Sequence, residues 1–295
     1  MATFGPVLTA MVTPFDEALQ VDYEAATRLA RHLVEQGSDG LVVCGTTGES
    51  PTLTFAEKVQ MFRVVKQAVG AGAQIIAGTG NYCTAESIEL TQAAEEVGVD
   101  GVMLVCPYYN KPPQRGLIEH FTAIAQATRL PVILYNVPTR TSRNIEAKTT
   151  ITLAQVENIV AIKEAGGDLE QITQIAAHTP EDFWVYSGDD SMTLPILAVG
   201  GYGIVSVASH VAGKEIQEMV AAYHRGDVRR AAHLHQRLMP LFKVLFIPSS
   251  VSPAPVKGAL NLLGQNVGGL RLPLVPMNEG ETAQVREVLE NLGLL

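Results

Sequence analysis

A lysine closing an apolar run is the first residue with chemistry to offer: Ile159-Val160-Ala161-Ile162 leads directly into Lys163. An ammonium is costly to place among such neighbours. Desolvation disfavours its charged form, so its pKa is expected to fall from about 10.4, leaving a neutral amine that can attack a ketone and form a Schiff base. The alternative is a lysine that snorkels to solvent or pairs with Glu164. Tyr135, one position before Asn136-Val137-Pro138, can pass protons if its phenol lies beside that amine; otherwise it is a core tyrosine with a hydrogen-bonded hydroxyl. In Gly45-Thr46-Thr47-Gly48-Glu49-Ser50, small residues let backbone N–H groups and two hydroxyls approach a small anion such as a carboxylate. The segment lacks the spacing and the Gly-Lys-Ser/Thr ending of a P-loop, and a purely structural glycine turn is its other reading. Arg140 has the planar fork that grips a carboxylate through two bonds, against the ordinary case of an exposed arginine with no specific task.

Metal chemistry is poorly provided for. His32, His120, His178, His224, His233 and His235 fall within or at the ends of helical stretches, and His233 and His235, two apart, point to different sides. Glu164, Asp189 and Asp190 are the one alternative cluster for a hard cation. No metal or cofactor site is therefore expected. Cys44 reads as a small buried hydrophobe rather than a nucleophile.

These residues need elements to hold them. Short apolar runs recur at Val7–Ala10, Gly40–Cys44, Gln74–Gly78, Val102–Val105, Val132–Tyr135, Ile159–Lys163, Phe183–Ser187 and Ile204–Val207. Their near-continuous apolarity suits a parallel sheet covered on both faces. Between them lie stretches of helical spacing, such as Tyr23 to Gln36 with Ala26, Leu29, Ala30 and Leu33 on one stripe. Thr54 and Glu57 form a capping box for a helix reaching Val69; Asp168 and Asp227 sit at N-cap positions, and Gly37, Gly70 and Gly98 at helix ends. Strands alternating with helices through right-handed crossovers close most naturally into an α/β fold of the (β/α)8 (TIM) barrel type, with a doubly wound open sheet as the alternative. We expect a catalytic barrel over residues 1–225 and a C-terminal helical appendage over 226–295, patterned at Lys214–His224, Val228–Leu241, Val256–Leu263 and Thr282–Leu292 and interrupted by Pro248, Pro253 and Pro255. In such a barrel, chemistry sits at the carboxyl ends of the strands, where Lys163, Tyr135 and the Gly45–Ser50 segment all fall.

Composition narrows the partners. The chain has 295 residues, 47% hydrophobic and 17% charged, which excludes a disordered or fibrous protein. A net charge of −9 argues against nucleic acid, whose phosphates call for a basic surface. Neither a leader-like start nor an apolar run long enough for a membrane span is present, so a cytoplasmic location is expected. Cys44, Cys83 and Cys106 show no zinc-site or disulfide spacing and read as reduced thiols.

Taken together, Gly45–Ser50, Pro107-Tyr108-Tyr109-Asn110-Lys111-Pro112, Tyr135-Asn136-Val137-Pro138-Thr139-Arg140-Thr141, Ile162-Lys163-Glu164-Ala165 and Ser187-Gly188-Asp189-Asp190 resemble the dihydrodipicolinate synthase (4-hydroxy-tetrahydrodipicolinate synthase) family over essentially the whole chain. The resemblance implies a Schiff-base lyase that condenses pyruvate with L-aspartate 4-semialdehyde, in the diaminopimelate route to lysine, with a covalent pyruvate imine in place of any cofactor. It makes Lys163 the Schiff-base residue, Tyr135 the proton donor and acceptor, Thr46 a relay hydroxyl, Thr47 the partner of the pyruvate carboxylate, and Arg140 the holder of the semialdehyde carboxylate. Tyr109 is implied to be a relay tyrosine lent to a neighbouring subunit, with a dimer as the least catalytic unit and a homotetramer, a dimer of dimers, as the usual assembly. Gly188 and Val205 are implied to line the pocket with main-chain atoms.

An N-acetylneuraminate lyase or another 2-keto acid aldolase would share Lys163, Tyr135 and the Gly45–Ser50 loop. Arg140 separates the two, because a second carboxylate needs a cation there and a polyol does not. A non-catalytic, ligand-binding barrel is the reading from a different class. Lysine-inhibited members of the family carry two histidines and an asparagine where this chain has Phe55, Lys58 and Tyr82, with Ser50, Glu86 and Tyr108 kept. The cation of Lys58 should repel a lysine ammonium, so feedback inhibition is expected to be weak or absent.

Overall fold

A computed structural model describes residues 4–295. The first half of the chain alternates β1 (Val7–Ala10), α1 (Tyr23–Glu35), β2 (Gly40–Val43), α2 (Phe55–Val69), β3 (Gln74–Gly78), α3 (Thr84–Val97), β4 (Gly101–Val105) and α4 (Gln114–Gln126). The second half continues with β5 (Val132–Asn136), the short α5 (Pro138–Thr141), α6 (Ala147–Leu153), β6 (Ile159–Glu164), α7 (Leu169–His178), β7 (Trp184–Ser187), α8 (Thr193–Ala198), β8 (Gly203–Ser206) and α9 (Ser209–His224). The eight strands pair in sequence order, all parallel, and β1 closes on β8 through Val7–Ile204, Leu8–Val205 and Thr9–Ser206. Closure removes the edges that a doubly wound sheet would keep, so the barrel reading holds and the open sheet is excluded.

Each strand splits its side chains between two cores. Leu8, Val42, Ile76, Met103, Ile133, Tyr135, Ala161, Tyr186 and Val205 meet inside the barrel, whereas Val7, Leu41, Val43, Ile75, Val132, Leu134, Ile162, Val185 and Ile204 pack outward under the helices. Period-two alternation with both faces buried is why the strands read as unbroken apolar runs. It also settles orientation at β6: Ala161 points in and Ile162 out, so Lys163 points in and Glu164 out.

Local signals set the helix ends. Thr54 and Glu57 make the reciprocal capping box on α2, Asp168 accepts from Glu170 N and Gln171 N, and Asp227 accepts from Arg230 N. Gly70 and Gly98 stand at C-caps, and Gly37 adopts φ +100° just past α1. Several expectations shift: α10 runs from Val228 on to Val244, α11 covers Ala254–Leu262, and α12 starts at Glu279 rather than Thr282 and ends at Leu292. β7 starts at Trp184 rather than Phe183. α9 begins at Ser209, with a break in its helical dihedrals at Ala212 (φ −128°, ψ 45°), rather than at Lys214. Pro255 opens a helix instead of interrupting the chain, since it lies in the first turn of α11, where its missing N–H has no partner to lose.

After the barrel come α10 (Val228–Val244), α11 (Ala254–Leu262) and α12 (Glu279–Leu292). α10 packs on α9, α11 on α9, and α12 against both α10 and α11. The apolar interior runs without a gap from Leu29 and Phe62 of the barrel to Leu241, Val256 and Val285 of these helices.

Candidate active site

The inward turn of Lys163 places it opposite Tyr135 and Tyr186 in the strand register. Its residue is 4% exposed, and Nζ stands 4.2 Å from the centroid of the Tyr135 ring. Among the described residues it makes no ion pair and no side-chain hydrogen bond. The alternatives of snorkelling and of pairing with Glu164 both fail. Glu164 faces the outer side, where Asn136 Nδ2 donates to its two oxygens at 2.9 and 3.2 Å and Gln171 Nε2 donates at 2.9 Å. Burial pushes its carboxyl up to about 7 in spite of those donors.

Gly188 comes against the same lysine. A Cβ on Gly188 would lie 2.7 Å from Ala165 Cβ and 3.0 Å from Lys163 Cε, so only glycine leaves this wall open. Its N–H donates to Glu164 O at 2.6 Å. Asp190, two residues on, is fully enclosed: Ser206 Oγ donates to it at 2.5 Å, and the Val207 and Ala208 amides at 3.1 Å each. It thereby ties the end of β7 to the end of β8, which carries Val205, and burial raises its pKa to about 6. Glu164 and Asp190 thus belong to separate hydrogen-bond sets, and no group of three potential metal ligands lies together among the described residues.

The segment after β2 folds back on the barrel mouth. Cys44 (φ 56°) and Glu49 (φ 56°) hold left-handed backbone at its two ends, Glu49 N–H donates to Thr46 O at 3.1 Å, and Thr13 Oγ1 donates to Gly48 O at 2.6 Å. The amides of Thr46, Thr47 and Gly48 donate to no acceptor among the described residues, which leaves them available for an anion. A cavity of about 70 Å³ lies beside this turn, lined by Thr46, Cys44, Gly80, Met103, Tyr108 and Tyr135. Thr47 is buried at the same turn. Burial pushes the Cys44 thiol up to about 12, which suits the inert reading of that residue.

Two expected site residues stand apart from this cluster. Arg140 occupies α5, directly after the strand of Tyr135, but its side chain is exposed and Nη2 donates to Ser252 O at 3.4 Å. Tyr109 is 90% exposed on left-handed backbone (φ 65°). Sequence reading also passed over Lys257, whose ammonium is buried against Glu49 at 2.6 Å. The signal was present: in Ala254-Pro255-Val256-Lys257-Gly258-Ala259-Leu260 a lysine interrupts an apolar run, the same incongruity that singles out Lys163.

The model of the dihydrodipicolinate synthetase family matches residues 3–292. A 4-hydroxy-tetrahydrodipicolinate synthase from Moorella thermoacetica is 59% identical over 292 residues, covering 99% of this chain and 99% of that relative. One from Synechocystis is 57% identical over 99% of this chain and 97% of its own length. Among solved structures, a dihydrodipicolinate synthase from Cyanidioschyzon merolae with lysine bound superposes with a TM-score of 0.98 at 49% identity, covering all of both chains. One from Bacillus anthracis does so with a TM-score of 0.95 at 52% identity, covering 98% of this chain and 99% of that one.

Proposed function

The chain belongs to the dihydrodipicolinate synthetase family, and from that premise we propose that it is a 4-hydroxy-tetrahydrodipicolinate synthase, joining pyruvate to L-aspartate 4-semialdehyde through a Schiff base on Lys163. The observation that carries the assignment of residues is a desolvated amine, free of any ion pair, 4.2 Å from the ring of a tyrosine in the adjoining strand.

The Lys163 amine adds through its nitrogen lone pair to the pyruvate ketone, water leaves, and the iminium draws electrons from the adjacent methyl so that its proton departs and an enamine forms. The enamine carbon attacks the semialdehyde. The amino group of the second substrate then attacks the former ketone carbon, closes the ring and releases Lys163. Tyr135 hands protons to and from these centres, with Thr46 as the next hydroxyl along the cavity wall. The turn amides and Thr47 hold the pyruvate carboxylate, Arg140 takes the semialdehyde carboxylate as the second substrate enters, and Gly188 and Val205 bound the pocket. The covalent imine does the electrophilic work, so the proposal includes no cofactor.

Tyr109 then acts across a subunit contact. With Tyr82 (47% exposed), Phe55 (44%) and Phe246 (42%) it is one of four exposed aromatics among the described residues, and its own exposure supports a dimer as the least catalytic unit within a dimer of dimers. The division into a barrel at 1–225 and a helical unit at 226–295 belongs to the same proposal. No helix among the described residues is long and apolar enough to cross a membrane, and we assign the enzyme to the cytoplasm. The lysine-site position Lys58 is half-buried, and burial lowers its pKa. With Phe55 and Tyr82 at the two other positions that differ from the lysine-inhibited members, we expect L-lysine to inhibit weakly or not at all. An inhibition curve with a low-millimolar midpoint would contradict this.

The decisive test of the activity is borohydride reduction in the presence of pyruvate, followed by peptide mass spectrometry, alongside a coupled assay with both substrates. Pyruvate-dependent labelling of Lys163, and loss of both label and turnover in Lys163→Ala, are expected. Label on another residue, or equal rates in the variant, would overturn the assignment.

A further inference from the structure

Lys257 and Glu49 form an ion pair that is closed to solvent, with side chains 1% and 0% exposed and Nζ 2.6 Å from Oε1. The two residues are 208 positions apart, one on a helix beyond the barrel and the other at the end of the turn that carries Thr46 and Thr47. Both ions have further partners. Lys257 also donates to Gly269 O at 2.6 Å and lies 4.1 Å from the centroid of the Phe15 ring, while the second Glu49 oxygen accepts the Arg271 amide at 3.1 Å. Arg271 extends the grip by donating to Thr52 O and to both oxygens of Glu57. Gly268 makes the close approach possible, since a Cβ there would fall 1.9 Å from Phe15 O.

A buried ion pair is a weak source of stability, because the desolvation of both ions offsets most of their attraction. What this one supplies is direction. Glu49 is a non-glycine residue in left-handed backbone (φ 56°, ψ 36°), a conformation that persists only when its surroundings dictate it. Its N–H donates to Thr46 O and closes the turn. Its carboxylate, held by Lys257 and the Arg271 amide, fixes the end of the segment whose amides at Thr46, Thr47 and Gly48 donate to no acceptor among the described residues.

We propose that Lys257 is a positioning residue, which through Glu49 sets the Thr46–Thr47 turn for the pyruvate carboxylate and so makes the C-terminal helices part of the pyruvate-binding apparatus. This rests on the pyruvate reading given above. The test uses borohydride trapping of the full-length protein without the second substrate, at graded pyruvate concentrations, in wild type, Lys257→Met, Glu49→Gln and the double variant.

The concentration for half-maximal trapping is expected to rise about tenfold in each variant, because a displacement well under 1 Å already costs much of a well-oriented contact. The double variant, which strands no charge, should recover most of the thermal stability lost in Lys257→Met yet keep the weakened trapping. A purely structural pair would lower the trapped fraction at saturation without moving the midpoint. A midpoint within twofold of wild type in any folded variant overturns the proposal, and Glu49→Gln, nearly isosteric, provides that reading if Lys257→Met does not fold. Failure of pyruvate-dependent trapping in wild type would instead overturn the pyruvate reading itself.

Discussion

Lys163 and Lys257 are both almost wholly buried, and each ammonium nitrogen stands about 4 Å from an aromatic centroid, 4.2 Å for Tyr135 and 4.1 Å for Phe15. They differ in everything else. Lys257 is met by a carboxylate and a carbonyl at 2.6 Å each, so its charge is compensated, its position is fixed, and its lone pair is unavailable unless the pair breaks; burial still lowers its pKa to about 8. Lys163 has neither partner among the described residues, and the carboxylate next to it in sequence, Glu164, points to the other side of the strand and is occupied by amides. One desolvated amine is thus paired and the other left without an ion partner, and the distinction lies in what the fold brings to each.

The largest effect expected from that contrast is on rate. Lys163→Met should lower turnover by at least about 10³-fold, as loss of a covalent nucleophile does, while the melting temperature stays near wild type because no ion partner is stranded. A large fall in melting temperature would show that Lys163 carries structural weight. Tyr135→Phe keeps the ring beside the amine and deletes only the hydroxyl. Steady-state turnover should fall by about 10²-fold or more, the ordinary range for proton transfer, whereas an unchanged rate would assign the proton to another group.

On the other side of the comparison, Lys257→Met leaves Glu49 buried without its cation, and denaturant unfolding should show a loss of about 3–5 kcal/mol, most of it regained in the double variant with Glu49→Gln. A loss below about 1 kcal/mol would mean that water or a rearranged side chain replaces the ammonium.

A third buried charge gives the smallest effect. Glu164 has no cation and only amide donors, and burial raises its folded pKa to about 7 from an ordinary 4.5. The folded state therefore holds more protons than the unfolded one between those values, and stability should decline as pH rises from about 4.5 to about 7. Melting curves of wild type and Glu164→Gln across that range test this, and parallel curves would place the carboxyl's pKa near its unfolded value.

Several features were readable from short stretches of chain. The strands and the caps at Thr54, Asp168 and Asp227 depend on alternation and on hydrogen bonds spanning a few residues, so each segment carries its own information. Lys163 was legible because a charge in an apolar run is incongruous wherever the run lies. The expected start of α9 at Lys214 missed its first turn because the break at Ala212 disturbs the helical period. Pro255 was misread because a proline's effect depends on whether the turn around it is the first of a helix.

What the sequence by itself determined is the alternation of buried strands and capped helices, and hence a barrel with a lysine at the end of an apolar strand. Which side of β6 that lysine faces, the close approach of Ala165 and Lys163 to Gly188, the partner that Lys257 finds 208 residues away and the outward exposure of Tyr109 were decided only in three dimensions. The reason is physical: dihedral preference, periodicity and capping act between neighbours in the chain, whereas pairing, burial and desolvation act between surfaces that meet only once the barrel has closed.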